Sequence, residues 1–425
     1  MNSKEIKPLK NLKKISFKLP TSKSLTQRAL ICSALAQGIS KIINPLISED
    51  TLLLKEALKA VGVNIKEKKN IWEVEGKYPP LLLGKKIYLG NNGTGARFLT
   101  ALASLGKGSY VEIYGKPRLH ERPMGLLIES LKKLSANIEC LEKEGFLPIR
   151  IKESILVSRD IFLPGNISSQ FISALLLIGP YLPKGLKLII EGEVLSKAYI
   201  DLTLDVMKSF GVEVKFFENI FEVSKSNYVA TVYEVEADAS TASYFLAIPL
   251  ILSKGEIIIK NYNPCSKQGD VKFLDYIKKM GAEIEILKPL GIKVKFEGVP
   301  KGIEVDLGDT PDLFPTMCIL GAVAEGKTIL KGAPHLRYKE TDRIKAMVTE
   351  LKKLGVKAEE LPDGAIIEGT REFKKGIIIN TYDDHRIAMS FAILGLKTGG
   401  IKIKSPECVA KSFPEFWDYI EKLYE

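Results

Sequence analysis

The sequence predicts an α/β fold in which six βαβαββ repeats form two domains of three repeats each. Six apolar helical runs each end at a glycine followed by a β-branched strand, and these glycines recur at intervals of 70, 77, 70, 71 and 74 residues. Amphipathic helices followed by alternating strands lie between them in a second regular series. Such self-similarity indicates a repeat architecture. The six glycines are Gly38, Gly108, Gly185, Gly255, Gly326 and Gly400.

The order of elements within a repeat follows from hydrophobic periodicity and from turn residues. A short strand enters a polar turn, an apolar helix and a second strand follow, and an amphipathic helix with a strand pair completes the unit. The sixth repeat lacks its closing strands, and residues 5–15 are free to supply one, so we expect the chain to close on itself. We therefore predict one domain over residues 20–235 and a second formed by residues 1–19 plus 236–425.

The octapeptide GAVAEGKT, at residues 321–328, matches the phosphate-binding pattern of P-loop proteins. That pattern binds phosphate only where a strand precedes the glycine-rich loop and a helix follows the Lys-Thr pair. Here the order is reversed, because an apolar helix precedes the glycines and a strand follows Lys327 and Thr328. We interpret the match as accidental and expect a helix end and a strand start.

Composition excludes several classes of protein. A content of 45% hydrophobic and 27% charged residues is typical of a globular protein, and the apolar runs are shorter than the ~18 residues of a membrane span. The five cysteines have no C-x-x-C spacing, which argues against disulfides and zinc. The net charge of +11 suits small anionic substrates, since the scattered lysines do not form a nucleic-acid-binding stripe. Without a secretion signal, we expect a cytoplasmic protein.

Polar residues collect at the N-terminus of the first helix of each repeat. Ser, Thr, Asn, Asp and Gly there are typical of caps that satisfy the first backbone N–H groups. Capping does not explain the accompanying cations, because positive charge is disfavoured at this end of a helix. If three repeats surround a pseudo-threefold axis, the helix ends of two facing domains would attract a polyanion. Capping does not account for the cations Lys23, Arg28, Arg97 and Arg386, or for the neutral Gln170 beside them.

Nine short motifs resemble those of the 5-enolpyruvylshikimate-3-phosphate (EPSP) synthase family, in the family's order. They are PTSKSLTQRA, LGNNGTGAR, KPRLHERP, SSQF, SKAY, TPDLFPT, KETDR, DDHR and AKSFPEF. The resemblance covers essentially the whole chain and implies an inside-out α/β barrel in each of two domains, which close on the substrates. It also implies transfer of the enolpyruvyl group of phosphoenolpyruvate to the 5-hydroxyl of shikimate 3-phosphate, in aromatic amino acid biosynthesis. No metal or organic cofactor, nucleic acid or membrane is implied, and we expect a monomer.

Site residues are implied motif by motif. Asp312 and Glu340 match the positions of the proton-transferring carboxylates, and Lys23 and Lys411 join them as catalytic residues. Helix-terminal hydroxyls and guanidinium groups are suited to phosphate and carboxylate oxygens. The implied ligands of shikimate 3-phosphate are Lys23, Ser24, Arg28, Ser168, Ser169, Gln170, Ser196, Asp312 and Lys339, and those of phosphoenolpyruvate are Lys23, Gly93, Arg118, Gln170, Arg343, Arg386 and Lys411.

Three residues depart from the pattern of the family. Asn92 fills a position where the family often has a smaller residue, Phe98 replaces a frequent proline, and His335 replaces a frequent asparagine that contacts the phosphorylated substrate. We expect His385 to be a structural neighbour of Arg386.

Three other functions remain open from sequence. UDP-N-acetylglucosamine enolpyruvyl transferase is the nearest alternative, but it usually carries a reactive cysteine in the stretch matching residues 114–125, which has none. RNA 3′-phosphate cyclase would lack this set of motifs. A basic nucleic-acid-binding protein would instead bind with a steep salt dependence.

Overall fold

The computed structural model describes residues 2–10, 12 and 14–425. Asn11 and Lys13, which belong to the segment predicted to supply an N-terminal strand, lie outside the described residues, as does Met1. The chain divides into two compact units, Thr21–Val235 and Met1–Pro20 with Glu236–Glu425. We call them the first unit and the second unit.

The helices of the two units follow the predicted repeats. The first helix of each repeat is buried on nearly every side, and in α11 every residue is buried; a helix that is apolar all round belongs in a core. The helices are α1 Lys23–Leu35, α2 Glu49–Ala60, α3 Gly93–Ala103, α4 Pro117–His120, α5 Gly125–Lys133, α6 Ser169–Ile178, α7 Lys197–Ser209, α8 Ala239–Leu246, α9 Ile248–Ile251, α10 Phe273–Lys279, α11 Phe314–Val323, α12 Arg343–Lys353, α13 His385–Thr398 and α14 Phe416–Glu421. Short 3₁₀ helices span Gly179–Tyr181, Gly269–Lys272, Pro311–Leu313, Pro334–Tyr338 and Pro406–Lys411.

The strands form one sheet of three or four strands per repeat, with the apolar helices packed against them, and one further sheet of two strands. The strands are β1 Ser3–Ile6, β2 Ile15–Phe17, β3 Ile39–Ile43, β4 Asn64–Lys68, β5 Ile71–Glu75, β6 Leu81–Leu82, β7 Lys85–Tyr88, β8 Lys107–Gly108, β9 Tyr110–Tyr114, β10 Asn137–Cys140, β11 Ile149–Lys152, β12 Asp160–Pro164, β13 Leu186–Glu191, β14 Val214–Phe217, β15 Ile220–Val223, β16 Val232–Glu234, β17 Lys254–Ile259, β18 Glu283–Ile286, β19 Ile292–Glu297, β20 Glu304–Asp306, β21 Lys327–Lys331, β22 Lys357–Leu361, β23 Gly364–Glu368, β24 Ile378–Ile379 and β25 Ile401–Lys404.

The second, third and fifth repeats each form a sheet with the predicted arrangement of strands. Each contains two parallel strands flanking the first helix and an antiparallel pair from the end of the repeat, as in the order β12-β13-β15-β14. All six periodic glycines have positive φ, from 65° at Gly400 to 139° at Gly255. A side chain disfavours that conformation, so glycine at these helix-to-strand turns is explained by the backbone.

The first and fourth repeats differ from the prediction by an exchange of their first strands. β16, which precedes α8 in the chain, pairs with β3 of the first repeat, whereas β2, which precedes α1, pairs with β17 of the fourth repeat. Each short strand therefore joins the sheet of the unit that its helix does not belong to. The order of elements within a repeat does not indicate this exchange, although the predicted domain bounds already place residues 15–17 and 232–234 in different domains from the helices that follow them.

In the sixth sheet the N-terminal segment supplies a strand, as predicted, but this strand is Ser3–Ile6 and overlaps the predicted segment 5–15 only at Glu5 and Ile6. β1 pairs antiparallel with β25, in register from Ser3 with Lys404 to Ile6 with Ile401, and β24 completes the sheet. The helix end and strand start predicted at residues 321–328 are also confirmed, since α11 ends at Val323 and β21 begins at Lys327. No helix of the described chain has the length and apolar character needed to cross a membrane.

Candidate active site

In the second unit, one arginine joins three carboxylates. Arg343 is the first residue of α12 and is 1% exposed. Its Nε donates to Asp384 (2.7 Å), one terminal nitrogen donates to Asp312 (2.8 Å), and the other donates to Glu340 (2.7 Å). The planar guanidinium fork suits such an arrangement, since it presents five donors in fixed directions. The two predicted catalytic carboxylates are thus held on either side of one cation.

Asp312 lies in the 3₁₀ turn that leads into α11 and is shared by a second arginine. Arg386 donates to its Oδ2 at 2.7 Å, while Arg343 occupies Oδ1. Burial alone would raise the pKa of this carboxyl, but the charges of Arg386, Arg343 and Lys339 hold the pKa well below its ordinary value. Asp312 is therefore ionised throughout the neutral range.

Arg386 enters the site from the first turn of α13. Asp384 caps this helix by accepting from the Arg386 N–H at 2.9 Å, and its other oxygen accepts from Arg343. The cap carboxylate offsets the positive helix end beside the Arg386 side chain. Lys411 completes the group, with its ammonium 3.8 Å from Glu340. Burial disfavours Arg343 in its charged form, yet the neighbouring carboxylates raise its pKa above the ordinary value.

The connection before α12 differs from the sequence-based expectation. The segment HLRYKETDRIKAM, at residues 335–347, predicts an amphipathic helix that the charged residues 337–343 open, with Lys339 and Arg343 four residues apart on a shared face. The structure instead ends a 3₁₀ helix at Tyr338 and begins α12 at Arg343. Asp342 caps α12 by accepting from the Lys345 N–H at 3.0 Å, which terminates the helix on its N-terminal side. Lys339 and Glu340 lie in the connection, where the chain can place Glu340 against Arg343.

His335 is a neutral group in this unit. Burial and the positive charge of Lys339 lower its pKa to about 3, so the imidazole is uncharged at neutral pH. A neutral ring can replace an asparagine as a hydrogen-bonding group without adding charge. We expect the His335 signals in a two-dimensional NMR titration to stay constant from pH 8 to pH 5, with a His335→Asn variant used for assignment. An inflection near pH 6.5, the ordinary value, would contradict this expectation.

The first unit places Arg28 in the second turn of α1, where it reaches α7. Its Nε donates to Thr203 (2.7 Å) and one terminal nitrogen donates to the carbonyl of Tyr199 (3.0 Å). Burial lowers the pKa of Arg28 to about 10, so the group remains protonated at neutral pH. Among the described residues it forms no salt bridge with a carboxylate; Phe98 lies beneath it instead, 5.4 Å from ring centre to guanidinium carbon. Such a buried cation is a candidate partner for a bound anion.

Lys23 and Asn92 bring together the starts of α1, α2 and α3. The ammonium of Lys23 pairs with Asp50 at 2.9 Å, its only polar contact within the described part of the chain. Asn92 is fully buried and caps α3 by accepting from the Gly95 N–H (2.8 Å). Its amide donates to Gln27 (2.9 Å) and to the carbonyl of Asp50 (2.8 Å), which explains why a larger residue is accommodated here.

Gly93 and Arg118 complete the predicted residues near α3. A Cβ at Gly93 would lie 2.4 Å from the guanidinium of Arg122, so a larger residue at this position would require that buried arginine side chain to move. Arg118 belongs to the short helix α4 and pairs with Glu121 at 2.7 Å, with a third of its side chain exposed. Arg122 lies in the motif KPRLHERP, but its contact with Gly93 is tertiary and could not be predicted from that motif.

The predicted hydroxyls lie at the starts of α6 and α7. Ser168 caps α6 by accepting from the Gln170 N–H at 3.4 Å, and Ser169 is buried. The Gln170 Oε1 is buried without a hydrogen-bond partner among the described residues. Ser196 precedes α7 with a left-handed φ of 55°. Ser24 lies one turn before Arg28, and its carbonyl accepts from that side chain at 3.1 Å.

Comparison with known proteins identifies the family. Residues 6–420 match the family model described as EPSP synthase (3-phosphoshikimate 1-carboxyvinyltransferase). The chain belongs to the EPSP synthase family. The predicted resemblance and enzyme class are therefore confirmed, and the two-domain α/β fold class agrees with the fold of the family.

Similar proteins support this membership along the full length. The chain is 40% identical over 402 residues to a 3-phosphoshikimate 1-carboxyvinyltransferase of Methanothermobacter thermautotrophicus, covering 94% of each chain. It is 39% identical over 432 residues to one of Vibrio vulnificus, covering 100% of each. A solved EPSP synthase of Acinetobacter baumannii superimposes with a TM-score of 0.80 at 29% identity, covering 99% of this chain and 97% of that one.

Several functional neighbours were missed from sequence. Asp384 lies in the motif DDHR, and its position directly before α13 makes it a helix cap. Asp50, in the first turn of α2, and Thr203, in α7, lie outside the nine motifs and meet their partners through tertiary contacts. Tyr199 lies in the motif SKAY, but its contact with Arg28 is made by its carbonyl, which the side-chain pattern does not indicate. In the described part of the chain, no group of three or more His, Cys, Asp or Glu residues is arranged to hold a metal ion.

Proposed function

We propose that the residues assembled around Arg343 and Arg28 are the substrate-binding and catalytic residues of a 3-phosphoshikimate 1-carboxyvinyltransferase. Membership of the EPSP synthase family supports enolpyruvyl transfer from phosphoenolpyruvate to shikimate 3-phosphate. The observation that carries the site assignment is the buried group in which two arginines and a lysine surround Asp312 and Glu340. This buried group combines carboxylates that can transfer protons with cations that can bind phosphate.

The reaction requires two proton transfers that these carboxylates can perform. The 5-hydroxyl oxygen of shikimate 3-phosphate attacks C2 of phosphoenolpyruvate while its proton goes to a base and C3 gains a proton from an acid, which gives a tetrahedral ketal. Loss of a C3 proton and departure of phosphate from C2 then form the enolpyruvyl ether. Asp312 and Glu340 supply the base and the acid, with Lys23 and Lys411 assisting, and the cations stabilise the leaving phosphate.

The arginines connect phosphoenolpyruvate binding to the basicity of Asp312. Arg343 and Arg386 hold the phosphate and carboxylate of phosphoenolpyruvate, together with Gly93, Arg118, Gln170, Lys23 and Lys411. Without substrate, both guanidinium groups donate to Asp312 and keep its pKa low. When substrate oxygens take over those donors, the carboxylate loses part of this stabilisation and its pKa rises toward the range of a useful base.

The first unit supplies most of the groups that bind shikimate 3-phosphate. Arg28 is a buried cation without a carboxylate partner among the described residues, and it is held by a hydroxyl and two carbonyls. A phosphate there would gain charge-assisted hydrogen bonds without displacing an internal anion. The remaining ligands are Lys23, Ser24, Ser168, Ser169, Gln170 and Ser196, with Asp312 and Lys339 from the second unit.

The acceptor specificity tests this function. Purified protein is incubated with phosphoenolpyruvate and either shikimate 3-phosphate or UDP-N-acetylglucosamine, and phosphate release is followed. We expect release only with shikimate 3-phosphate, and the absence of cysteine from residues 114–125 argues against the other acceptor. Release with UDP-N-acetylglucosamine alone would assign the chain to the alternative transferase.

We also propose that the protein acts as a cytoplasmic monomer and does not bind nucleic acid. The scattered lysines and the chemistry of small, metabolic substrates support this proposal. Sedimentation at several concentrations tests the oligomeric state. Electrophoretic mobility of DNA and RNA at low salt tests nucleic-acid binding, and a strongly salt-dependent shift would contradict the proposal.

A further inference from the structure

A buried glutamate lies two helical turns beyond Arg343 in α12. Glu350 follows Arg343 by seven residues, which places both side chains on one face of the helix, about 10 Å apart along its axis. Glu350 is 0% exposed. Its carboxylate accepts from the Tyr382 hydroxyl (2.7 Å) and from the Asn380 N–H (3.2 Å). A buried carboxylate that binds a neighbouring loop rather than solvent requires an explanation.

The loop that Glu350 holds has an unfavourable backbone. Tyr382 and Asp383 both have a φ of 56°, and the Asp384 N–H donates to the Thr381 carbonyl at 2.9 Å across them. Such a turn is ordinarily built from Gly, Asn or Asp, and a bulky residue with positive φ is a conformational outlier. Outliers of this kind persist where surrounding contacts enforce them, and they are frequent at functional sites.

The residue after this turn positions both arginines. Asp384 accepts from the Arg343 Nε at 2.7 Å, and it caps α13 through the Arg386 N–H at 2.9 Å. The loop is therefore fastened to α12 at two points, by Glu350 at its start and by Arg343 at its end. Releasing the first point would let Asp384 move with the relaxing turn.

The other contacts of Glu350 allow it to hold this loop as a buried, charged acceptor. Lys353 pairs with both of its oxygens at 2.7 Å, which compensates the buried charge. Burial and the adjacent carboxylate raise the pKa of Tyr382 to about 12, so its hydroxyl keeps the proton that it donates to Glu350 at neutral pH. None of the described contacts of Glu350 is with a proposed substrate ligand.

We propose that Glu350 is a positioning residue for phosphoenolpyruvate binding. It holds Tyr382 and Asp383 in the left-handed conformation, which fixes Asp384 and, through it, the directions of Arg343 and Arg386. The effect on phosphoenolpyruvate rests on the proposed function, whereas the effect on the loop does not. The two consequences are therefore measured separately.

The kinetic test compares Glu350→Gln and Tyr382→Phe with the unmodified protein. We expect the KM for phosphoenolpyruvate to rise by about tenfold in Glu350→Gln, since small displacements of binding groups have large kinetic effects. The KM for shikimate 3-phosphate should change by less than about twofold. Tyr382→Phe should show the same selective change to a smaller extent. Equal changes in both KM values, or none, would overturn the proposal.

Two substitutions serve as matched controls. Glu112→Gln removes a carboxylate that is also largely buried and paired with cations, on β9 of the first unit. Tyr424→Phe removes a hydroxyl that donates to the carbonyl of Lys7, so it matches the loss of a tyrosine hydrogen bond. Both controls should leave the two KM values unchanged.

Hydrogen exchange tests the loop without reference to activity. In Glu350→Gln we expect faster exchange of the amides of Asp384 and Arg386, because their acceptors lie in the loop that Glu350 holds. Unchanged exchange at these amides would overturn the proposal even if the protein transferred no enolpyruvyl group. Lack of turnover by the unmodified protein would instead contradict the proposed function. If Glu350→Gln does not fold, Tyr382→Phe carries both measurements, since it leaves Glu350 paired with Lys353.

Discussion

Replacement of Asp312 by Asn lowers kcat by about 10²- to 10⁴-fold, the range expected when a general acid or base is removed. The amide retains the shape of the carboxylate and one acceptor oxygen, but it cannot take a proton from the substrate hydroxyl. Glu340→Gln has an effect of the same order, because Glu340 shares the cations Arg343 and Lys411 and is proposed as the second proton-transfer group. Steady-state phosphate release at saturating substrates measures both losses.

The control for these variants is an exposed acid on another helix of the same unit. Asp275 lies in α10 and is exposed, so Asp275→Asn should leave kcat unchanged. Circular dichroism melting curves establish that the catalytic variants are folded. If folded Asp312→Asn retained more than about a tenth of the native kcat, this result would contradict a role for Asp312 in proton transfer.

Replacement of Arg343 by Met costs about 3–5 kcal/mol in the free energy of unfolding, because it leaves buried carboxylates without their shared cation. Asp384 and Glu340 lose a donor, and Asp312 retains Arg386. Urea denaturation at neutral pH measures the loss. Enzyme activity should fall below detection, since the same guanidinium is proposed to bind phosphoenolpyruvate.

The pH dependence of this loss has a definite sign. In the folded native protein the arginines lower the pKa of Asp312, so its stabilising contribution is present above the ordinary pKa of about 3.9 and is lost as the pH falls through the folded value. The deficit of Arg343→Met is therefore greatest at neutral pH and shrinks below about pH 4.

Arg337→Met is the matched control for Arg343→Met. Arg337 pairs with Asp342 and Glu360 and is a quarter exposed, so its removal should cost no more than about 1 kcal/mol. A loss from Arg343→Met as small as this control would mean that the buried charges do not depend on Arg343.

The repeat fold could be predicted because its signals are local and periodic. Glycines with positive φ end the apolar helices at regular intervals, and amphipathic helices occur between them. The pairings of β2 and β16 do not follow from the repeat order, which groups each strand with the helix after it. Only the predicted domain bounds, which fall between these strands and their helices, separate them.

The candidate site could be predicted in part. Cations at helix N-termini indicated an anionic ligand from physical principles, whereas the separate roles of Asp312 and Glu340 came from family resemblance. The contacts of Asp384, Arg122 and Glu350 were inaccessible from sequence because each depends on side chains that meet only in the folded chain. The prediction that Lys339 lies on the helix was wrong because Asp342 caps α12, which therefore begins only at Arg343.

Phosphorus NMR of the complete reaction tests the proposed function most directly. Equimolar phosphoenolpyruvate and shikimate 3-phosphate are mixed with the protein, without nucleotide or added metal. The proposed function predicts that both substrate signals decline together while inorganic phosphate and one new phosphorylated product appear in equal amounts. Phosphate that forms from phosphoenolpyruvate alone, without a new product derived from shikimate 3-phosphate, would contradict enolpyruvyl transfer and indicate hydrolysis instead.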